Sequence, residues 1–268
     1  MSEPDYAAVK AGAKALWSLG DYSQIERFTL TASQALLDAC AVSAGQEVLD
    51  VAAGTGNFAL LAAAEGASVV ASDLTPHLID RGKQRTEEEG VSIEWIEADA
   101  EELPFEDARF DCTASVFGAM FAPQPRRVAE ELFRVTRPGN TVGMANWTPD
   151  GFNGRVFAMM GEFLPRPEGI PAPIEWGSED AVRERFDGLA GSLEFERRHA
   201  PIEYESVDAL IAFFENAGPQ AAAKQALGDR YHETTERFRE IVAEFNEADG
   251  DAVSIRSEYL LVVARRRG

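Results

Sequence analysis

Val48-Leu49-Asp50-Val51-Ala52-Ala53-Gly54-Thr55-Gly56-Asn57 is the stretch that decides the fold. An apolar run ends in an acid, then in a turn of small residues, and a helix-like segment, Phe58 to Ala64, follows. The pattern is a strand that stops at a glycine turn and opens a helix. A turn without bulky side chains lets a ligand approach the backbone. The free N–H groups of the next helix favour a carboxylate or phosphate. Asp50, and Asp73 further on, are suited to reading hydroxyl and amine groups. The stretch therefore predicts a site for a nucleoside-containing cofactor.

Outward from it, strand-like and helix-like segments alternate. Ser68–Asp73 is a strand, and Thr75-Pro76 opens a helix to about Glu88 with an N-cap and a proline in the first turn. Ile93–Ala98 and Phe110–Phe117 are strands. Arg126–Val135 is a helix closed by Arg137-Pro138-Gly139, and Thr141–Trp147 is a strand. Such alternation predicts an α/β fold: a Rossmann-like, doubly wound sheet, mostly parallel, with helices on both faces. Right-handed crossovers then bring Asp50, Asp73, Asp99, Ser115–Phe117 and Trp147 to one edge of the sheet, where such folds bind ligands.

Residues 5–40 read as two helices interrupted near Gly20-Asp21, and residues 1–40 are expected to form a lid over a domain of residues 41–268. The proline-rich stretch at about 148–190 is expected to be a partly helical insertion that covers the site. Leu193–Tyr204 and Val253–Arg265 are long strand-like runs, with helices at Val207–Ala217 and Thr235–Glu247 between them. They predict an antiparallel C-terminal edge on the sheet.

Bulk properties exclude several classes. The 268 residues carry 46 acids and 25 basic residues, a net charge of −21. That balance argues against nucleic acid and against anionic membrane surfaces. Lysine is confined to Lys10, Lys14, Lys83 and Lys224, and the remaining basic residues are arginine. No apolar run is long enough to span a bilayer, and the acidic N-terminus lacks the layout of a secretory signal, so a cytoplasmic location is expected. Cys40 and Cys112 read as buried thiols, and His77, His199 and His232 make no ligand pattern, so no metal is expected.

Two cofactors compete for the glycine turn. Gly54-Thr-Gly56-Asn-Phe-Ala59 fits a dinucleotide fingerprint with Asp73 as its ribose acid, which would make an NAD(P)-dependent oxidoreductase. The Tyr6/Lys10 pair of such a reductase, however, precedes the turn here instead of following it. Read from Asp50, the signal continues elsewhere: in Ile96-Glu-Ala-Asp99-Ala-Glu-Glu-Leu-Pro104-Phe105, in Phe110-Asp111, and in Glu131-Leu-Phe-Arg134-Val-Thr-Arg137-Pro138-Gly139. With Val48–Asn57, these motifs resemble the class I S-adenosylmethionine-dependent methyltransferases, and the subgroup is similar to the ubiquinone/menaquinone-biosynthesis C-methyltransferases. The resemblance covers residues 40–147 well and the rest loosely.

The resemblance implies roles. Asp50 and the loop Ala52–Gly56, with Gly54, Gly56 and Asn57, would hold the methionine part of S-adenosylmethionine, whose product is S-adenosylhomocysteine. Asp73 would take the ribose hydroxyls and Leu74 would pack on the adenine. Asp99 and the Ala100 amide would read the adenine edge, and Ser115 to Phe117 would border the methyl group. The family usually has glycine at Ala52, and a negative φ is expected there with a slightly altered turn.

Transfer is expected to be an in-line displacement onto a small, apolar or aromatic acceptor. The expected acceptor pocket is Trp17, Tyr22, Met120, Phe121, Trp147 and Phe152, with Phe157, Met159 and Met160 nearby; Trp17, Tyr22 and Phe28 would close over it. His77, Tyr22 and Asp21 are the residues at the predicted mouth with the chemistry of a general base. A non-catalytic S-adenosylmethionine-binding protein is the remaining alternative.

Overall fold

The computed structural model describes residues 4–19, 23–215 and 218–268. Two helices, α1 (Tyr6–Trp17) and α2 (Ser23–Cys40), precede the alternating part. That part runs β1 (Glu47–Val51), α3 (Asn57–Ala64), β2 (Ser68–Asp73), α4 (Pro76–Glu89), β3 (Ile93–Glu97), β4 (Phe110–Val116), α5 (Pro125–Val135) and β5 (Thr136–Trp147). Helices α6 (Phe152–Phe163) and α7 (Glu179–Arg185) lead to β6 (Ala190–Tyr204). Helices α8 (Val207–Glu215), α9 (Gly218–Leu227) and α10 (Tyr231–Phe245) then lead to β7 (Val253–Arg266).

The seven strands form one sheet in the order β3-β2-β1-β4-β5-β7-β6. β1 pairs in parallel with β2 on one side and β4 on the other, so Asp50 lies opposite Ala71 and Ala114. The chain winds outward in both directions from this seam, and the crevice at the carboxyl ends of β1 and β4 is the topological switch point. Val48, Leu49 and Val51 are fully buried, as a central parallel strand covered on both faces requires. β7 is antiparallel to both β5 and β6, so the C-terminal strand sits inside the antiparallel end and β6 forms its edge.

Two differences from the sequence reading have clear causes. The second half of α2 is a layer helix, not a detachable cover. Ala32, Leu36, Leu37 and Cys40 are buried, and a Cβ on Gly143 of β5 would meet Cys40 Sγ at 2.4 Å and Leu36 Cδ1 at 3.2 Å. Secondly, the cover over the sheet edge comes from two segments. α6 packs with α8 and α10 around a separate apolar cluster of Phe152, Met159, Leu210, Phe238, Ile241 and Val242. The β6–β7 ribbon supports this cluster through Ile202 and Ile255, which lie opposite each other in register.

Leu36→Ala should therefore lower the stability of the whole domain by about 2–5 kcal/mol in urea unfolding. Leu30→Ser, at a position 45% exposed on the same helix, should change it by less than about 0.5 kcal/mol. A neutral Leu36→Ala would show that α2 can leave the sheet.

Candidate cofactor and acceptor site

Two buried carboxylates shape the crevice. Asp73, at the end of β2, accepts the Gly54 N–H on Oδ2 and the Thr75 N–H on Oδ1, each at 2.8 Å. One carboxylate thus fixes both the glycine turn after β1 and the start of α4. Asp50, 2% exposed, accepts the Ala59 N–H at 3.0 Å and holds the first turn of α3. Burial raises Asp73 to about 6 against the lowering pull of its N–H donors. Burial raises Asp50 further, to about 8; the Ala59 N–H works against this and the Asp73 charge adds to it.

The turn itself is left-handed in three places: Ala52 at φ +52°, Gly54 at +59° and Gly56 at +87°. The negative φ expected at Ala52 is corrected. A non-glycine residue in this region costs about 1 kcal/mol or more. Crowding at the seam accompanies it: a Cβ on Gly118, just beyond β4, would lie 2.2 Å from the Ala52 carbonyl oxygen. By contrast, nothing lies within 4 Å of a Cβ placed on Gly54, so the turn opens onto free space there. Phe117 is also left-handed, at φ +57°, and its ring stacks on Trp147 at 3.7 Å and 1°. Strained backbone at two facing strand ends is typical of ligand sites held rigid by their surroundings.

At the end of β3, Asp99 accepts the Glu101 N–H at 2.9 Å and pairs with Lys10 of α1 at 2.6 Å. Lys10 also pairs with Glu101. Burial works against the Lys10 charge, but its bonds to Asp99 and Glu101 outweigh that, holding the ammonium above its ordinary value of 10.5.

These groups open into one cavity of about 610 Å³, within the usual range for small-molecule sites. Of the residues singled out from sequence, Asp50, Ala52, Gly54, Asn57, Asp73, Leu74, Asp99, Ala100 and Phe117 line it, with Trp17, Phe121 and Trp147. Gly56 does not line it: it caps α3 and lies under Trp95, whose ring a Cβ there would meet at 2.7 Å. Ser115 is buried, its hydroxyl accepting the Ala119 N–H at 3.0 Å. Met120 lies in the main core and Phe152 in the second cluster. His77 is exposed in the first turn of α4, off the lining. Tyr22 and Asp21 lie outside the described residues.

Sequence reading missed Lys10, Gly118, Phe213, Phe214 and Ala223, all on the lining. The adjacent Phe213-Phe214 pair in α8 was the available signal, but nothing local placed that helix over the sheet edge. Among the described residues, no group of three or more His, Cys, Asp or Glu stands together as metal ligands would. No described helix is long and apolar enough to cross a membrane.

Comparison with known proteins agrees with this geometry. The family described as a methyltransferase domain matches residues 48–139, the segment from β1 to the start of β5. The chain belongs to the class I S-adenosylmethionine-dependent methyltransferases, with S-adenosylmethionine as cofactor. Among its relatives, the uncharacterized protein Rv1405c of Mycobacterium tuberculosis is 37% identical over 95% of this chain and 94% of its own length. The demethylmenaquinone methyltransferase of Clavibacter sepedonicus is 39% identical over 39% of this chain and 42% of its own length. In fold, the YcgJ protein of Bacillus subtilis superposes with a TM-score of 0.65 at 18% identity, covering 89% of this chain and 99% of that one. The residues present fit the cofactor chemically: strand-end acids for hydroxyl and amine groups, and a glycine turn open to the cavity.

Between pH 3.8 and about 8, the folded chain keeps a proton on Asp50 that the unfolded chain has released. Stability should therefore fall as pH rises through this window and level off above it. Asp50→Asn lacks this dependence. Urea midpoints from pH 5 to 8 should show the parent protein losing ground to the variant, whereas parallel profiles would mean that Asp50 is ionised in the fold.

Proposed function

We propose that this protein transfers the methyl group of S-adenosylmethionine to a small apolar or aromatic molecule by in-line displacement. The observation that carries the reading is that a single cavity joins the strand-end acids to a compartment walled by Trp17, Phe28, Phe121, Trp147, Phe157, Phe213 and Phe214. In this reading Asp73 accepts the ribose hydroxyls on lone pairs left over from its backbone bonds. Leu74 packs on the adenine, while Asp99 and Ala100 read its edge. Asp50, Ala52, Gly54 and Asn57 hold the methionine end, and Phe117 borders the reacting centre.

The cofactor supplies an activated methyl group when bound. The chain's part is then to align an acceptor and keep water out, which can account for much of the rate. The apolar walls suit both tasks. Among the described residues, the titratable side chains on the lining are Lys10, Asp50, Asp73, Asp99 and Arg166. The net charge of −21 disfavours a nucleic-acid acceptor. The Clavibacter relative is named for a methyl transfer to demethylmenaquinone, which supports a ring acceptor, although its match is confined to 39% of this chain. Helix α1 and the start of α2 act as the lid, and the insertion at 148–190 completes the cover with α8 and α9.

Calorimetric titration should show binding of S-adenosylmethionine and none of a nicotinamide dinucleotide; the opposite result would establish the oxidoreductase reading. Asp73→Ala should weaken S-adenosylmethionine binding by about tenfold to a hundredfold with the circular dichroism unchanged. Incubation with methyl-labelled cofactor and a metabolite extract should label a small apolar component. Binding without transfer to any component would favour the non-catalytic alternative.

A further inference from the structure

Helix α1 roofs the cavity with Lys10, Ala13, Leu16 and Trp17, yet none of its residues is buried. A helix that buries so little needs other anchors to stay in place. Trp17 makes an edge contact with Phe121 at 4.9 Å, and α1 also packs against α9. Among the described residues, ion pairs add to these anchors. Lys10 and Lys14, one turn apart on α1, are half of the chain's four lysines. Lys14 pairs with Glu97, the last residue of β3. Lys10 pairs with Asp99 at 2.6 Å and with Glu101.

The two pairs differ in weight. Lys14 and Glu97 are 40% and 51% exposed, and such pairs contribute little. The Lys10 side chain is 24% exposed, and that of Glu101 only 1%. Glu101 is itself fixed to the body by the backbone N–H and side-chain amide of Gln124, at 2.7 and 2.6 Å. Lys10 is thus tied to a rigid, poorly hydrated acid, where screening is weak. Its other partner, Asp99, is the carboxylate assigned above to the adenine edge.

We propose that Lys10 is the latch of the cofactor site, tying α1 to Asp99 and Glu101, and that release of S-adenosylhomocysteine requires this tie to break. Lys10 is a positioning residue: the same Asp99 carboxylate serves roof and ligand, so closing α1 also orients the group that reads the adenine. The proposal rests on the S-adenosylmethionine reading of the site.

The test compares the full-length protein with its Lys10→Met, Lys10→Arg and Lys14→Met variants. Stopped-flow release of S-adenosylhomocysteine should accelerate about tenfold in Lys10→Met, the loss of one charge-assisted tie. It should stay within about twofold in Lys14→Met, and Lys10→Arg should restore slow release. Unchanged or slower release in Lys10→Met overturns the proposal, slower release showing that Lys10 competes with the adenine for Asp99. Hydrogen exchange of residues 6–17 without ligand gives a second readout. Lys10→Met should raise it, and equal exchange overturns the latch even if S-adenosylhomocysteine does not bind. Failure of the parent protein to bind S-adenosylhomocysteine would count against the cofactor reading instead.

Discussion

The carboxylate of Asp73 holds two backbone N–H groups at once, one from the turn after β1 and one from the start of α4. Together with the bond from the Ala53 N–H to the Ser72 carbonyl, 2.9 Å, it holds the glycine turn against the end of β2. Asp50 does the same for α3 through the Ala59 N–H. Both acids are buried, and their raised proton affinity reflects the cost of keeping carboxylates away from water. Backbone N–H groups offset that cost only in part. The pair is therefore expensive for stability, and its justification lies in what it positions: strand-end loops fixed at the switch point of the sheet and a glycine turn open to the cavity.

The strain at the seam belongs to the same arrangement. Ala52 and Phe117 end neighbouring strands in left-handed conformations, and Gly118 fits against Ala52 only because it lacks a Cβ. The stacked Phe117–Trp147 pair, bounded by Tyr259 at 5.6 Å and 6.2 Å, clamps the far side. The lining holds the acids Asp50, Asp73 and Asp99. The same cavity is also lined by aromatic side chains from the strand ends and from the helices that cover them. A cofactor rich in hydroxyl and amine groups and an acceptor with few of them would thus occupy neighbouring parts of one cavity.

Much of this was legible in the sequence because the signals were local. Alternating strand and helix patterns set the order of β1 to β5, and with it which strand ends meet at the crevice. Asp50, Asp73 and Asp99 are therefore on the lining, as expected of their positions. Side-chain direction after a strand ends was not legible: Met120 and Ser115 sit near the crevice in sequence and turn into the core. The left-handed Ala52 packs against Gly118, 66 positions later, an approach that no local rule contains. Phe152 reads as a pocket aromatic but packs on Phe238 and Phe245 of α10, a partner nearly a hundred residues away. Lys10 gave no signal of its own, since its meaning comes from Asp99 and Glu101 across the fold.

The central claim is that the strand-end acids form an S-adenosylmethionine site continuous with an apolar acceptor compartment. A crystal structure of the protein grown with S-adenosylhomocysteine tests it most directly. The expected density places the ribose hydroxyls on Asp73, the adenine amine at Asp99, and the homocysteine sulfur facing the aromatic compartment beside Phe117. A ligand bound elsewhere, or with its ribose away from Asp73, would contradict it.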